Sequence, residues 1–229
     1  MIIRLKFLIL KYKNRIKRYF LGNISSKIIL GPNVQFFGLN NILIKDNCTI
    51  GEDSLFIVNN RTNKEIQLAL GSNVYIGRDN FFSVGKSINI GDYCIFGNKC
   101  SLICSDHIFD NPLVPYALSG NSYNKEIVIG TNCWLGHDVS VVGKVKIGHG
   151  CVIGANTVVT NDIPPFSMVV GNPGRIIKTF NFETNAWEKG AKFNSSLYSD
   201  EEIYRNYLNS NFNDLPLGYY PSSSKMGDL

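Results

Sequence analysis

Aliphatic residues recur at every sixth position in the second half of the chain, at Ile129, Leu135, Val141, Ile147, Ile153 and Val159. Four places after each comes Cys133, Val139, Val145, Cys151, Thr157 or Ile163, mostly small or β-branched, and Gly130, Gly136, Gly148 and Gly154 directly follow four of the six. Each hexad reads as a short strand and a corner. The aliphatic and the fourth residue after it point inward, and glycine stands where backbones must approach. One hexad cannot bury its own face. Three are therefore expected to form a triangular coil, and coils to stack through parallel ladders with like residues above like.

Upstream the template returns in groups of three: Ile24, Leu30, Phe36; then Ile44, Ile50, Phe56; then Lys64, Leu70, Ile76; then Val84, Ile90, Phe96. Each group starts twenty residues after the last, which predicts coils of three hexads plus two extra residues, with the bulges aligned along one edge. Lys64 breaks the pattern, and the polar stretch from Asn59 to Glu65 is expected to project outward. After Phe96 and Leu102 the period lapses until Tyr123, Ile129 and Leu135, so residues 103–122 should leave the coil as a protruding loop. Ile163-Pro164-Pro165 is expected to stop the repeats.

The flanks follow other periods. Residues 2–20 place Ile2, Leu5, Leu8, Ile9, Tyr12, Ile16 and Tyr19 at nearly helical spacing with basic residues between them. Ser199 followed by Asp200, Glu201 and Glu202 should open a short helix reaching about Ser210. Residues 211–229 read as a tail or a segment that packs on a neighbour. The expected organisation is a basic amphipathic N-terminal helix over 1–22, a β-helix domain over 23–178 and a C-terminal extension over 179–229. The fold class is all-β.

With 229 residues, 44% of them hydrophobic, the chain can bury one sizeable core, which excludes a disordered protein. Residues 1–45 hold nine Lys or Arg and no acid. Such a head suits anionic lipid or an acidic polymer, and equally a solvated helix face; nucleic acid is not the expected partner. The apolar run Met1 to Leu10 is interrupted by Arg4 and Lys6 and is too short to cross a bilayer. Six cysteines without a CxxC pair, in a chain read as lacking a cleavable leader, point to reduced thiols and a cytoplasmic protein, with peripheral contact at the inner face of the membrane. Cys48, Cys94, Cys100, Cys133 and Cys151 fall on inward positions as core fillers. Cys104, at the loop root, is the one candidate for exposure.

The words Ile129-Gly130-Thr131-Asn132-Cys133-Trp134-Leu135-Gly136, Ile147-Gly148, Ile153-Gly154-Ala155, Val158-Val159-Thr160-Asn161-Asp162-Ile163-Pro164-Pro165 and Val170-Gly171-Asn172-Pro173-Gly174-Arg175 resemble those of the hexapeptide-repeat acyltransferases, in particular the sugar and polysaccharide O-acetyltransferases. The resemblance implies a left-handed parallel β-helix, a homotrimer, and acetyl-CoA lying between two chains. The handedness comes from the resemblance alone, because ordinary parallel crossovers are right-handed in about 98% of cases.

Acetyl transfer from a thioester needs a base for the acceptor proton, donors for the oxyanion and a grip on the cofactor. Of three histidines, His107 lies in the loop, while His137 and His149 sit two places into a hexad and should face outward. The resemblance puts the catalytic base in a loop of this kind; the competing reading is a surface histidine. Asp106 could orient the imidazole, although adjacent side chains tend to diverge. Trp134 stands where a hexad normally faces solvent, and the resemblance sets it against the cofactor arm near the thioester, with a trimer contact as alternative. Gly136, Gly154 and Ala155 leave backbone unshielded by bulk, and the resemblance makes them contacts of the pantetheine arm, with Thr160 after them; plain turn geometry is the alternative. Arg175 and Lys178, three apart, would face the same way on a helical turn and meet the phosphates of CoA, or be a solvated pair. Asn161 stands where the family often has lysine, so one charge contact is absent.

The resemblance implies O-acetylation of a sugar hydroxyl in a surface polysaccharide or its precursor, and an anionic, sialic-acid-containing acceptor would suit the basic head. N-acetylation of a nucleotide-linked amino sugar, acetylation of an antibiotic and a non-catalytic scaffold are the other readings. No metal is expected, since His137 and His149 lie on different sides of a coil.

Overall fold

Like residues stand above like through the whole stack in the computed structural model, which describes residues 23–62, 64–190 and 197–212. Ile24, Ile44, Leu70, Ile90, Ile129, Ile147 and Ile163 form one column of parallel register partners. Leu30, Ile50, Ile76, Phe96, Leu135, Ile153 and Val169 form a second. Phe36, Phe56, Phe82, Leu102, Val141 and Val159 form the third. Three sheets of parallel strands carry these columns as the three faces of a prism. The first face runs from Ile28–Leu30 to Ser167–Val170, the second from Gln35–Phe37 to Val158–Val159, and the third from Ile42–Ile44 to Val145–Ile147. Nearly all column residues are fully buried, and the second-face phenylalanines touch ring to ring, Phe36–Phe56 at 5.1 Å and Phe56–Phe82 at 4.9 Å.

The corners explain the wealth of asparagine and aspartate. Asn33, Asn47, Asp53, Asn73, Asp79, Asn132, Asp138 and Asn156 all adopt positive φ, near 57–61° in most, a region that short polar side chains tolerate best. Glycine is required where coils touch: a Cβ on Gly130 would lie 2.5 Å from the His149 nitrogen. The inward cysteines add a hydrogen bond to their small volume. Cys48, Cys94, Cys133 and Cys151 each direct the thiol to a carbonyl of the next coil, those of Gly71, Gly130, Gly148 and Pro164, at 3.0–3.2 Å.

The expected frame slips once. Ile44 pairs with Leu70, twenty-six residues on, whereas Ile24 pairs with Ile44 after twenty. Lys64 is thus no column residue; it is exposed, in an insertion between Leu55–Val58 and Leu68–Leu70. Six inserted residues equal one hexad, so the period survives the insertion while the strand assignment shifts. The extra residues do share one edge. Residues 38–41, 59–67, 85–86, 104–125 and 143–144 all lie between a second-face and a third-face strand.

Two further expectations are corrected. Cys104 is buried at 1% exposure, its sulfur accepting the Gly85 N–H at 3.1 Å. The repeats run one face past Pro164-Pro165, because Ser167–Val170 pairs in parallel with Val152–Ile153. Ile163 N–H and Phe166 N–H make the corner bonds, to the carbonyls of Lys146 and His149, so the prolines between them fall where no donor is needed. The chain then turns back, and Arg175–Asn181 and Ala186–Glu188 extend the first face as antiparallel strands.

The C-terminal helix, α1, spans Glu201–Asn211, capped by Asp200 rather than Ser199, with the carboxylate accepting the Glu202 and Ile203 N–H groups. It docks on the prism through Tyr204 and Leu208, buried with Phe166, and through Glu201, whose carboxylate accepts the Thr131 N–H at 2.7 Å and hydroxyl at 3.0 Å. The helix expected over 1–22 and most of the expected tail lie outside the described residues. No helix among those described is long and apolar enough to cross a membrane.

Candidate functional site

The protruding loop leaves the second face at Ile103 and rejoins the third at Glu126, slightly longer than the expected 103–122. Its base is a small antiparallel ladder in which Asp106 faces Ser122 and His107 faces Asn121. His107 is exposed. The Asp106 carboxylate pairs with the Lys125 ammonium across the loop base, so its bonded partner is Lys125 and not the imidazole. Lys125 also lies 6.0 Å from the ring centre of Phe109.

Trp134 is 55% exposed on the outer side of the first face, between the register partners Ile95 and Val152. At the next corner the Gly136 N–H is spent on the Ile153 carbonyl and the Gly154 N–H on the Val169 carbonyl, both at 2.8 Å. A Cβ on Gly136 would stand 2.7 Å from the Ala155 nitrogen, so this glycine is needed for stacking whatever else it does. Ala155 is exposed and its N–H makes no hydrogen bond among the described residues, which leaves a backbone donor at that corner. Thr160 is exposed, its hydroxyl accepting the Asn161 amide at 3.2 Å.

Arg175 and Lys178 share a face, but not on a helical turn. Both belong to the strand Arg175–Asn181, where residues three apart would normally point to opposite sides. A register shift between Met168 and Val169 leaves Ile177 as the extra residue, so Arg175 lies opposite Val170 and Lys178 opposite Met168. The bulge restores the common side.

The structure thus gathers Trp134, Gly136, Gly154 and Ala155 along the first face and its corner with the second. It places His107 on a different edge, the one between the second and third faces. Within one chain the two sets do not meet.

Among the other histidines, His137 is exposed as expected. His149 points out of its coil yet is 3% exposed, covered by the C-terminal segment. Its Nε2 bonds the Tyr198 carbonyl at 2.8 Å, and its ring meets Phe166 and Tyr204. A cleft of about 520 Å³ opens beside it, lined in part by Lys146, Asp162, Ser199 and Glu201. The sequence signal for this cover was the density of aromatic residues from Phe180 to Phe212. Burial pushes the Cys48 thiol up to about 12 and that of Cys100 to about 11, consistent with inert core fillers. No group of three His, Cys, Asp or Glu among the described residues is placed to hold a metal ion.

Residues 126–161 match the family described as bacterial transferase hexapeptide, six repeats. The chain is 34% identical over 160 residues to a putative lipopolysaccharide biosynthesis O-acetyl transferase of Escherichia coli, covering 70% of this chain and 71% of the relative. It is 33% identical over 122 residues to the galactoside O-acetyltransferase of Escherichia coli, covering 51% of this chain and 59% of that one. A probable acetyltransferase of Mycobacterium tuberculosis is 34% identical over 127 residues, covering 56% of this chain and 41% of the relative, so the chain spans less than half of that protein. Among solved structures, a hexapeptide transferase family protein from Anaplasma phagocytophilum shares the fold at a TM-score of 0.53, with 15% identity and coverage of 84% and 92%. A hexapeptide-repeat acetyltransferase from Vibrio cholerae complexed with acetyl coenzyme A does so at 0.51, with 21% identity and coverage of 75% and 78%.

Proposed function

This chain belongs to the hexapeptide-repeat transferases, whose fold is the left-handed parallel β-helix, and on that premise we propose that it moves an acetyl group from acetyl-CoA to a sugar hydroxyl. The observation that carries this reading is the 34% identity, over 70% of the chain, to a relative named as an O-acetyl transferase of lipopolysaccharide biosynthesis. The acceptor is a surface polysaccharide or its precursor, handled in the cytoplasm, and an anionic, sialic-acid-containing glycan suits the basic residues 1–22.

His107 acts as general base. Its imidazole takes the proton of the acceptor hydroxyl as that oxygen attacks the thioester carbonyl. The new C–O bond forms, the C–S bond breaks, and the proton passes to the departing CoA sulfur, giving an acetate ester and free thiol. The outward strip of Ile95, Trp134 and the half-buried Val152 suits the apolar parts of the pantetheine arm, the Ala155 N–H, unbonded among the described residues, suits one of its amide carbonyls or the oxyanion, and Arg175 and Lys178 suit the phosphates.

Because His107 and Trp134 occupy different parts of the prism, a complete site takes the imidazole from one copy and the cofactor strip from another, as a homotrimer provides. Release of CoA thiol on adding a saccharide panel tests the scheme. The His107→Ala variant is expected to lose at least about a hundredfold in rate. Undiminished turnover in that variant would count decisively against it, and an alkali-stable product would point to an amide rather than an ester.

A further inference from the structure

Both ends of the protruding loop rest on the same short stretch of the coil below. The Cys104 N–H bonds the Ser83 carbonyl at 3.0 Å, and the Lys86 N–H bonds the Lys125 carbonyl at 2.8 Å. The root of the loop is tied further down by one side chain. The Asn59 amide nitrogen reaches Ser83 Oγ at 3.0 Å, Ser105 Oγ at 3.1 Å and the Val84 carbonyl at 3.1 Å, while the two serine hydroxyls bond each other at 2.6 Å. Asn59 opens the insertion of residues 59–67, two coils below the loop on the same edge. A contact between residues 59 and 105 is therefore a staple across three coils. All three side chains are partly buried, where such bonds are less open to exchange with water.

Ser105 stands two places before His107, and the chain between them is extended, with Asp106 and His107 already in the ladder to residues 121–122. Fixing the Ser105 side chain thus fixes the start of the strand that carries the imidazole. We propose that Asn59 is a positioning residue for His107: through Ser83 and Ser105 it seats the loop root and so sets where the base stands. This rests on the reading of His107 as the base. It also gives the insertion at residues 59–67, which the repeat itself does not need, a role in the chemistry.

The test compares wild type with Asn59→Ala and with Ser105→Ala, the second removing one hydroxyl in case the first does not fold. Deuterium exchange over residues 104–109 is expected to quicken about tenfold or more in both variants while residues 127–135 stay unchanged. Among the three histidine ring signals in a proton–nitrogen spectrum, only that of His107 should move. Unchanged exchange over 104–109, or equal loosening throughout the coil, would overturn the proposal. With acetyl-CoA and methyl galactoside as the acceptor probe, kcat should fall about tenfold to a hundredfold while KM for acetyl-CoA holds within about twofold, as misplacement of a catalytic group predicts. A raised KM at unchanged kcat would argue against it. Should His107→Ala prove as active as wild type, the reading of the base fails, while the exchange result still decides whether Asn59 seats the loop.

Discussion

A Cβ added to Gly85 would lie 2.1 Å from the carbonyl oxygen of Cys104. The same atom would come within 3.2 Å of the Lys125 carbonyl, so one glycine touches both ends of the loop that carries His107. Gly85→Ala is expected to lift the loop root. It should lower stability by about 1–3 kcal/mol, the usual range for overpacking, and reduce turnover more than acetyl-CoA binding. Denaturant melts beside kinetics on the purified variant measure the two effects.

The six cysteines, all free and all buried, should be silent in the native protein. A thiol-reactive disulfide reagent is expected to titrate none of them before unfolding and six afterwards. The raised thiols also set a pH dependence. The neutral form is favoured in the folded state, with values of about 12 at Cys48 and about 11 at Cys100 against an ordinary 9.0. Their contribution is fully present below about pH 9, where both states are protonated, and is lost as pH rises toward the folded values. Urea midpoints measured from pH 7 to pH 10 should decline at the alkaline end.

Glu201 holds the C-terminal helix to the prism through Thr131, whose exposure is 0%. Glu201→Ala leaves a buried N–H without its acceptor, expected to cost about 1–3 kcal/mol. The loss should appear as faster proteolysis of the C-terminal segment, with little change in the far-ultraviolet signature of the coils.

Phe82 lies in the second-face column with Phe56 4.9 Å away and Phe96 5.8 Å away. Phe82→Ala is expected to lower stability by about 3–5 kcal/mol, because stacked coils cannot slide together to fill the void. Thermal unfolding followed by circular dichroism measures it.

Arg175 and Lys178 stand on one side of a bulged strand. Replacing each by glutamine should raise KM for acetyl-CoA about threefold, with kcat nearly constant, since exposed charges contribute modestly. The effect should shrink with added salt. An unchanged KM at low ionic strength would return the pair to the status of solvated surface.

Much of this molecule was legible in the chain because a hexad repeats a physical constraint, namely which side chain faces the interior. Ile129 through Val159 declared their columns directly, and so did the alignment of insertions along one edge. The misreadings have definite causes. An insertion as long as one hexad kept the rhythm through Lys64 and hid a shift of frame. Cys104 looked exposed because it opens a loop, yet Gly85 and Ser87 close over its sulfur. Arg175 and Lys178 share a side through a bulge and not a helical turn, and a bulge is invisible to spacing. His149 faces away from its coil as its position requires, but contacts with Tyr198 and Tyr204, some fifty residues later, cover it. Of the candidate site, the protruding loop was readable from the lapse of the period. The separation of His107 from Trp134 needed the three-sided topology.

Confining every added residue to a single corner has a further effect on how such a chain can change. Segments there can differ in length from coil to coil without shifting the register of any of the three sheets. The rim that carries the long loop can therefore diverge in length and composition while the other two corners and all three ladders keep their form.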